Sequence, residues 1–215
     1  MQKLIVPRIM ASPALPAAEI ELLLEEKGAL QKISNANWKD FPYTPDVRFR
    51  ILHTGSEIWL KFFVQEKYIR AVETRTNGDV YKDSAVEFFV SFDQKNYYNL
   101  EFSCIGTIHL GYGSGRHGRQ YISPEIAEQI SAVSSLGKQA FDEKSGGFNW
   151  EMMLRIPLTC FVFDEIKNLS GLTARANFYK CGDATSEPHF ISWNPIKTET
   201  PDYHQPDFFG EIAFE

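Results

Sequence analysis

From Val47 onward, apolar and polar residues alternate with a period of two. In EIWLKFFVQE (57–66), Ile58, Leu60, Phe62 and Val64 fall on one face and Trp59, Lys61 and Phe63 on the other, which predicts a strand with one face on a core. VRFRILH before it repeats the pattern with Val47, Phe49 and Ile51, and Thr54, Gly55 and Ser56 between the two predict a hairpin turn. Further strands are predicted at 85–92, 97–104, 107–113, 148–157, 172–181 and 208–214. Turn residues separate most of them and no regular long helix intervenes, so βαβ alternation is excluded. The clear helical signal comes earlier. Pro16 followed by AAEIELLLEEKG supplies a proline near the start, good helix formers and Gly28 as a stop.

These elements close most simply as an all-β fold, a two-sheet antiparallel β-sandwich of jelly-roll or immunoglobulin-like type with a short N-terminal flanking helix. Residues 1–37 then form the flanking segment and residues 38–215 the sandwich domain. Residues 114–146 read mostly as connection, with a short helix at SPEIAEQI. No internal repeat or low-complexity tract is present, which removes solenoids and propellers.

Composition narrows the function. The 215 residues fit one sandwich domain, and 17 Phe with 9 Tyr fill a core and leave aromatics over. A net charge of -6 argues against nucleic acid, whose phosphates need clustered Lys and Arg. No run approaches the roughly 20 apolar residues of a membrane span, so a soluble chain is expected. The start, Met1 to Ala11, has only a short Leu4-Ile5-Val6 patch broken by Pro7, so no signal peptide is visible; a cytoplasmic location is expected unless a leader has been removed. Cys104, Cys160 and Cys181 lack CxxC spacing and are expected as buried thiols.

Two segments concentrate candidate chemistry. Ala176 to Gly210 holds Lys180, Asp183, His189, Trp193, Tyr203, His204 and Asp207, punctuated by Pro188, Pro195, Pro201 and Pro206. Long ordered loops of this kind are often functional, although the same aromatics could simply cap the sandwich. The second segment places Glu87, Asn99 and Glu101 on successive strands, with Asn99 and Glu101 sharing a face. An acid among Val86, Phe88 and Phe89 must be paired, hydrogen-bonded or at a ligand site; pairing with Lys180 or Arg175 is the structural account. Glu87 with Glu101 or His189 would suit a glycosidase. His189, His204 and Cys181 match no zinc spacing, and GxSxG, a P-loop and GxGxxG after a strand are all missing. Sugars ask for aromatic planes and a polar rim. Tyr81 or Trp193 would supply a plane, and Glu87, Asn99, Lys180 and His189 the rim, with Glu101 and His204 beside them.

The run DSAVEFFVSFDQKNYYNLEFSCIGTIHLGYG, followed by NFYKCGD, PHFISWNPI and PDYHQPDFFG, resembles the carbohydrate-binding module family nine-like domains, within the superfamily that includes DOMON domains. The likeness spans roughly Trp38 to the C-terminus. It implies a β-sandwich that binds mono- or oligosaccharide without cleaving it, often beside a partner glycosidase. It also implies a ring held between two aromatics, here Trp193 of SWNP and Tyr81 where relatives have tryptophan, with Glu87 as the acid. The family's arginine would be Arg116 or Arg75, and no cofactor is implied beyond structural calcium, for which Asp83 and Asp93 are the candidates. A DOMON-like haem site would use Met152 or Met153 with His109. An interaction module that has lost sugar binding is the remaining alternative.

Overall fold

The computed structural model describes residues 1–12 and 14–215. In chain order the strands are β1 (Lys3–Val6), β2 (Ala29–Ile33), β3 (Asn35–Ala36), β4 (Asp46–His53), β5 (Glu57–Ala71), β6 (Ala85–Ser91), β7 (Tyr97–Ser103), β8 (Ile108–Gly113), β9 (Gln120–Tyr121), β10 (Ser131–Ser134), β11 (Phe141–Pro157), β12 (Thr173–Cys181), β13 (Phe190–Ser192) and β14 (Gly210–Phe214). Helix α1 (Ala17–Lys27) and the single turn α2 (Pro124–Ala127) complete the set with short 3-10 turns.

The strands form the two sheets of a sandwich. One has five strands in the order β10-β11-β5-β4-β2. The other has nine, running β1-β14-β12-β6-β7-β8-β9 with β13 beside β12 and β3 beside β13. The pairings are antiparallel except that β1 lies parallel to β14. The faces that meet follow the alternation. Val47, Phe49, Leu60 and Phe62 pack against Val86, Phe88, Leu100 and Phe178 with no exposure to solvent. Phe178 sits at the centre, stacked on Phe49 at 4.0 Å and on Phe88 at 4.9 Å between ring centroids. Each such side chain contributes about 1.5–3 kcal/mol by its burial.

Residues 1–37 do not form a separate flank. β1 pairs with β14, β2 with β4, and β3 with β13, so the segment supplies strands to both sheets. Helix α1 covers the outer face of the five-stranded sheet, where Ile20 and Leu24 bury Leu52, Trp59 and Met153. Lys61 lies in the same patch, bonded to Glu21, to Glu25 at 2.7 Å and to Glu151 at 2.9 Å. Burial alone would lower its pKa, but the bonds to the three carboxylates outweigh it and raise the value.

The outer face of the nine-stranded sheet is covered differently. Beyond β13 the chain folds back over it, so that Ile196, Tyr203 and Phe209, joined by Trp38, pack on Phe89, Tyr97 and Tyr179. Tyr203 stacks on Tyr179 at 4.0 Å and its hydroxyl donates to the Lys180 carbonyl at 2.9 Å. Asn177 donates to the Asn194 carbonyl and accepts from the Asn194 amide, while the Asn194 side chain donates to the Phe208 carbonyl. This loop, predicted as ordered and Pro-restricted, stops short of the far half of the sheet. Among the described residues, no helix is long and apolar enough to cross a membrane.

Candidate functional site

Strand register lines up the chemistry. Tyr179, Glu87, Glu101 and His109 are cross-strand partners in one row over β12, β6, β7 and β8. Phe89, Asn99, Gly111 and Tyr121 form the neighbouring row, which reaches β9. The odd-numbered residues of β6, β7 and β8 point outward, because their even-numbered neighbours fill the core. Where the covering loop ends, these side chains floor a cleft of about 480 Å³, within the ~300–1,000 Å³ typical of small-molecule sites. Arg116 and Arg119 line one side and Asp202 to His204 another. Asp183 also faces the cleft, placed by its backbone N–H donating to the Tyr81 carbonyl at 3.3 Å. Two aromatic rings at the cleft are substantially exposed, Tyr81 at 39% and Tyr121 at 64%.

The polar groups are organised by short bonds. Asn99 donates to Glu101 Oε1 at 2.8 Å and accepts from Arg119 Nε at 2.9 Å. Arg119 also donates to the carbonyls of Gly115 and Tyr97, each at 2.9 Å, and lies over the Tyr97 ring. It crosses β8 where Gly111 and Gly113 leave room; a Cβ on Gly111 would stand 2.7 Å from Asn99 Oδ1. The Cys181 thiol donates to Glu87 Oε1 at 3.0 Å. Glu87 is almost fully buried, and burial, followed by the charge of Glu101, holds its pKa well above the ordinary carboxyl value. The same two causes lift Asp183 to about 7. His204 Nδ1 is hydrogen-bonded to the Tyr97 hydroxyl at 2.8 Å, and burial with the nearby Arg119 charge lowers its pKa to about 3.

Five residues expected at the site, Tyr81, Glu87, Asn99, Glu101 and His204, line this cleft. Three do not. Trp193 has no exposed surface: its ring packs edge-on against Phe178, donates to Gln31 Oε1 at 3.0 Å, and fills the space that a side chain on Gly210 would need. It is a core residue, and the aromatic opposite Tyr81 in the expected pair is absent from the cleft. Lys180 points to the opposite face of β12, where it pairs with Glu66 at 2.8 Å, meets His189 Nε2 at 2.8 Å and donates to the Cys181 carbonyl at 2.7 Å. His189 is buried with it, its pKa lowered to about 2 by burial and then by Lys180. The structural partner of Lys180 is therefore Glu66, and neither Lys180 nor Arg175 neutralises Glu87; Arg175 bonds the Phe209 carbonyl.

Other candidates resolve similarly. Arg116 lines the cleft, whereas Arg75 is bonded to Glu73 on the surface. Asp83 binds Arg70 and the amides of Val72 and Glu73, and Asp93 accepts from Lys95 and Asn96 in the β6–β7 turn. The two acids do not converge, and among the described residues no three His, Cys, Asp or Glu side chains are arranged to hold a metal. Met152 is core, Met153 lies under α1, and His109 faces the cleft across the nine-stranded sheet, so no pair of axial haem ligands forms.

Arg119 and Tyr121 are the residues missed by the sequence reading. A signal for them exists in GYGSGRHGRQY: glycines two apart at Gly111 and Gly113 leave one face of a strand bare, and a long cation with an aromatic follows within ten residues.

The profile of carbohydrate-binding family 9 matches residues 17–214. No curated protein matches the chain. Among solved structures, a candidate carbohydrate-binding protein from Bacteroides uniformis is similar over 100% of this chain and 99% of its own, with 39% identity and a TM-score of 0.95. Two structures of a family 9 carbohydrate-binding module from Caldicellulosiruptor kristjanssonii share the fold. The glucose complex has 14% identity and a TM-score of 0.57, covering 100% of this chain and 96% of the other. The cellotriose complex has 15% and 0.61, covering 100% and 94%. With the profile running from α1 through β14 and so close a full-length structural match, the chain belongs to carbohydrate-binding family 9.

Proposed function

We propose that the cleft on the outer face of the nine-stranded sheet is the saccharide site of this non-catalytic, carbohydrate-binding chain. The observation that carries the reading is the convergence, in one opening, of two exposed tyrosine rings with a buried carboxyl and amide floor. A pyranose offers apolar C–H faces to rings and hydroxyls to such a floor. Tyr81 and Tyr121 take the role of stacking platforms, and Asn99, Glu87, Glu101 and Arg119 that of hydroxyl partners. The C. kristjanssonii modules hold glucose and cellotriose, which supports a glucose-based ligand here. A glycosidase acting on the same saccharide is the partner this role suggests. Hydrolysis by the chain itself is not proposed: the family is non-catalytic, and His189 lies across the sheet from Glu87.

Binding in the millimolar to micromolar range, about -4 to -8 kcal/mol, suits a site of this kind. Titration calorimetry with glucose, cello-oligosaccharides and a panel of other sugars checks it. Tyr121→Ala is expected to weaken the best ligand about tenfold, ~1.4 kcal/mol. The absence of heat with every sugar, or wild-type affinity in both Tyr81→Ala and Tyr121→Ala, would overturn the proposal.

A further inference from the structure

We propose that the saccharide preferred by this cleft carries a protonated amine, an amino sugar rather than its neutral or N-acetylated counterpart; the inference rests on the cleft being the saccharide site. Glu87, Glu101, Asp183 and Asp202 line the cleft against the two guanidinium groups of Arg116 and Arg119, so carboxyls outnumber arginines there. Arg119 is held by Asn99, by two backbone carbonyls and by the Tyr97 ring. Arg116 stands 3.9 Å from Asp202, and Lys180 is turned to the other face of the sheet with Glu66. Of the three histidines that line the cleft, His109 donates from Nδ1 to the Gly78 carbonyl, His204 meets the Tyr97 hydroxyl, and His117 stands beside Arg116.

A second observation is independent of the charge count. Glu101 is only 5% exposed, yet its Oε2 has no hydrogen-bond partner among the described residues, although Oε1 accepts from Asn99. Buried carboxylate oxygens are rarely left so, and each exception asks for a reason. A third is the mouth, where the exposed rings of Tyr121 and Tyr81 offer the electron-rich surface that attracts ammonium groups, as Lys82 Nζ already shows 5.8 Å from the centroid of Tyr81. Aromatic rings and carboxyls in the lining of one cleft suit a cation that also carries a pyranose ring. A neutral hydroxyl would satisfy Glu101 Oε2 by hydrogen bonding but would leave the carboxyl repulsion in place. That repulsion is visible in Glu87 and Asp183, whose pKa values are raised by burial and then by the charge of Glu101. An arriving ammonium would lower them, so protons should leave as the ligand binds.

Calorimetry of the wild-type chain with glucosamine, glucose and N-acetylglucosamine at near-neutral pH, in two buffers of different ionisation enthalpy, provides the test. Glucosamine is expected to bind at least about tenfold more tightly than the other two, with a buffer-dependent heat that reports proton release. Glu101→Gln, its folding verified by thermal denaturation, is expected to reduce that preference to within about twofold. Glucose or N-acetylglucosamine binding as tightly as glucosamine overturns the inference while leaving the saccharide site intact, and so does a Glu101→Gln chain that keeps the full preference. No binding by any sugar overturns both.

Discussion

Removing the Trp193 side chain should cost stability and leave affinity alone. The ring is fully enclosed between the sheets, so Trp193→Ala is expected to lose about 3–5 kcal/mol in urea denaturation. Sugar affinity of the folded fraction should stay at the wild-type value. The residue was misread because SWNP says nothing about which way its indole turns; an aromatic beside a loop looks the same buried or exposed. Lys180 was more legible than it was made. In ANFYKC it alternates with Ala176 and Phe178, on the core side, while Asn177, Tyr179 and Cys181 share the other face. Glu87 was harder, because β6 is apolar on both sides and alternation does not reveal which side is the interior. Asp183 gives a prediction in pH. Its pKa is raised from 3.8 to about 7, by burial and by Glu101, so the stability it contributes is fully present below about 3.8 and is lost as pH rises through 7. Asp183→Asn should therefore match the wild type near pH 4 and exceed it above pH 7 by up to about 4 kcal/mol, read from melting curves. His189 and His204 act with the opposite sign. Their depressed values mean that stability present above pH 6.5 is lost as pH falls toward about 2 and about 3.

Among the elements, helix α1 was readable from its proline start and its helix formers, but its docking place was not. Trp59, Lys61 and Phe63 mix apolar and charged character on the outer face of β5, which reads as a solvent face until a helix supplies both Leu24 and the carboxylates of Glu21 and Glu25. Leu24→Ala is expected to cost about 2–4 kcal/mol through the cavity left over Trp59 and Met153. Differential scanning calorimetry would register this as a lower melting temperature, with sugar binding unaltered, since α1 lies on the sheet opposite the cleft. The short strands escaped the reading for a different reason. β3, β9 and β13 have two or three residues, too few to show a period, and β1 is cut short by Pro7. They exist because longer neighbours present unpaired edges, a property of the assembled sheet and not of their own sequence. The loop after β13 was legible as ordered from its prolines, yet its extent over the sheet decides where the cleft opens, and that depends on packing between residues far apart in the chain.

For the whole molecule, the sandwich followed from alternation and turn spacing, which survive any uncertainty about individual side chains. The proposed cleft followed less completely: Glu87, Asn99 and Glu101 lie on long strands whose alternation puts Asn99 and Glu101 on one face, whereas Arg119 and Tyr121 belong to the connection between β8 and α2. The net charge of -6 agrees in sign with the carboxyl-rich floor. The parallel pairing of β1 with β14 has a geometric consequence for how the chain can be attached to anything else. It brings Lys3 opposite Glu211 and Val6 opposite Phe214, at the sheet edge opposite β9. Four strand spacings of about 4.8 Å separate β1 from β7, on which Glu101 sits, or roughly 19 Å across the sheet. Both terminal strands therefore share one margin of the sheet, set apart from the strand that carries Glu101, and a polysaccharide surface laid on the cleft would meet neither of them first.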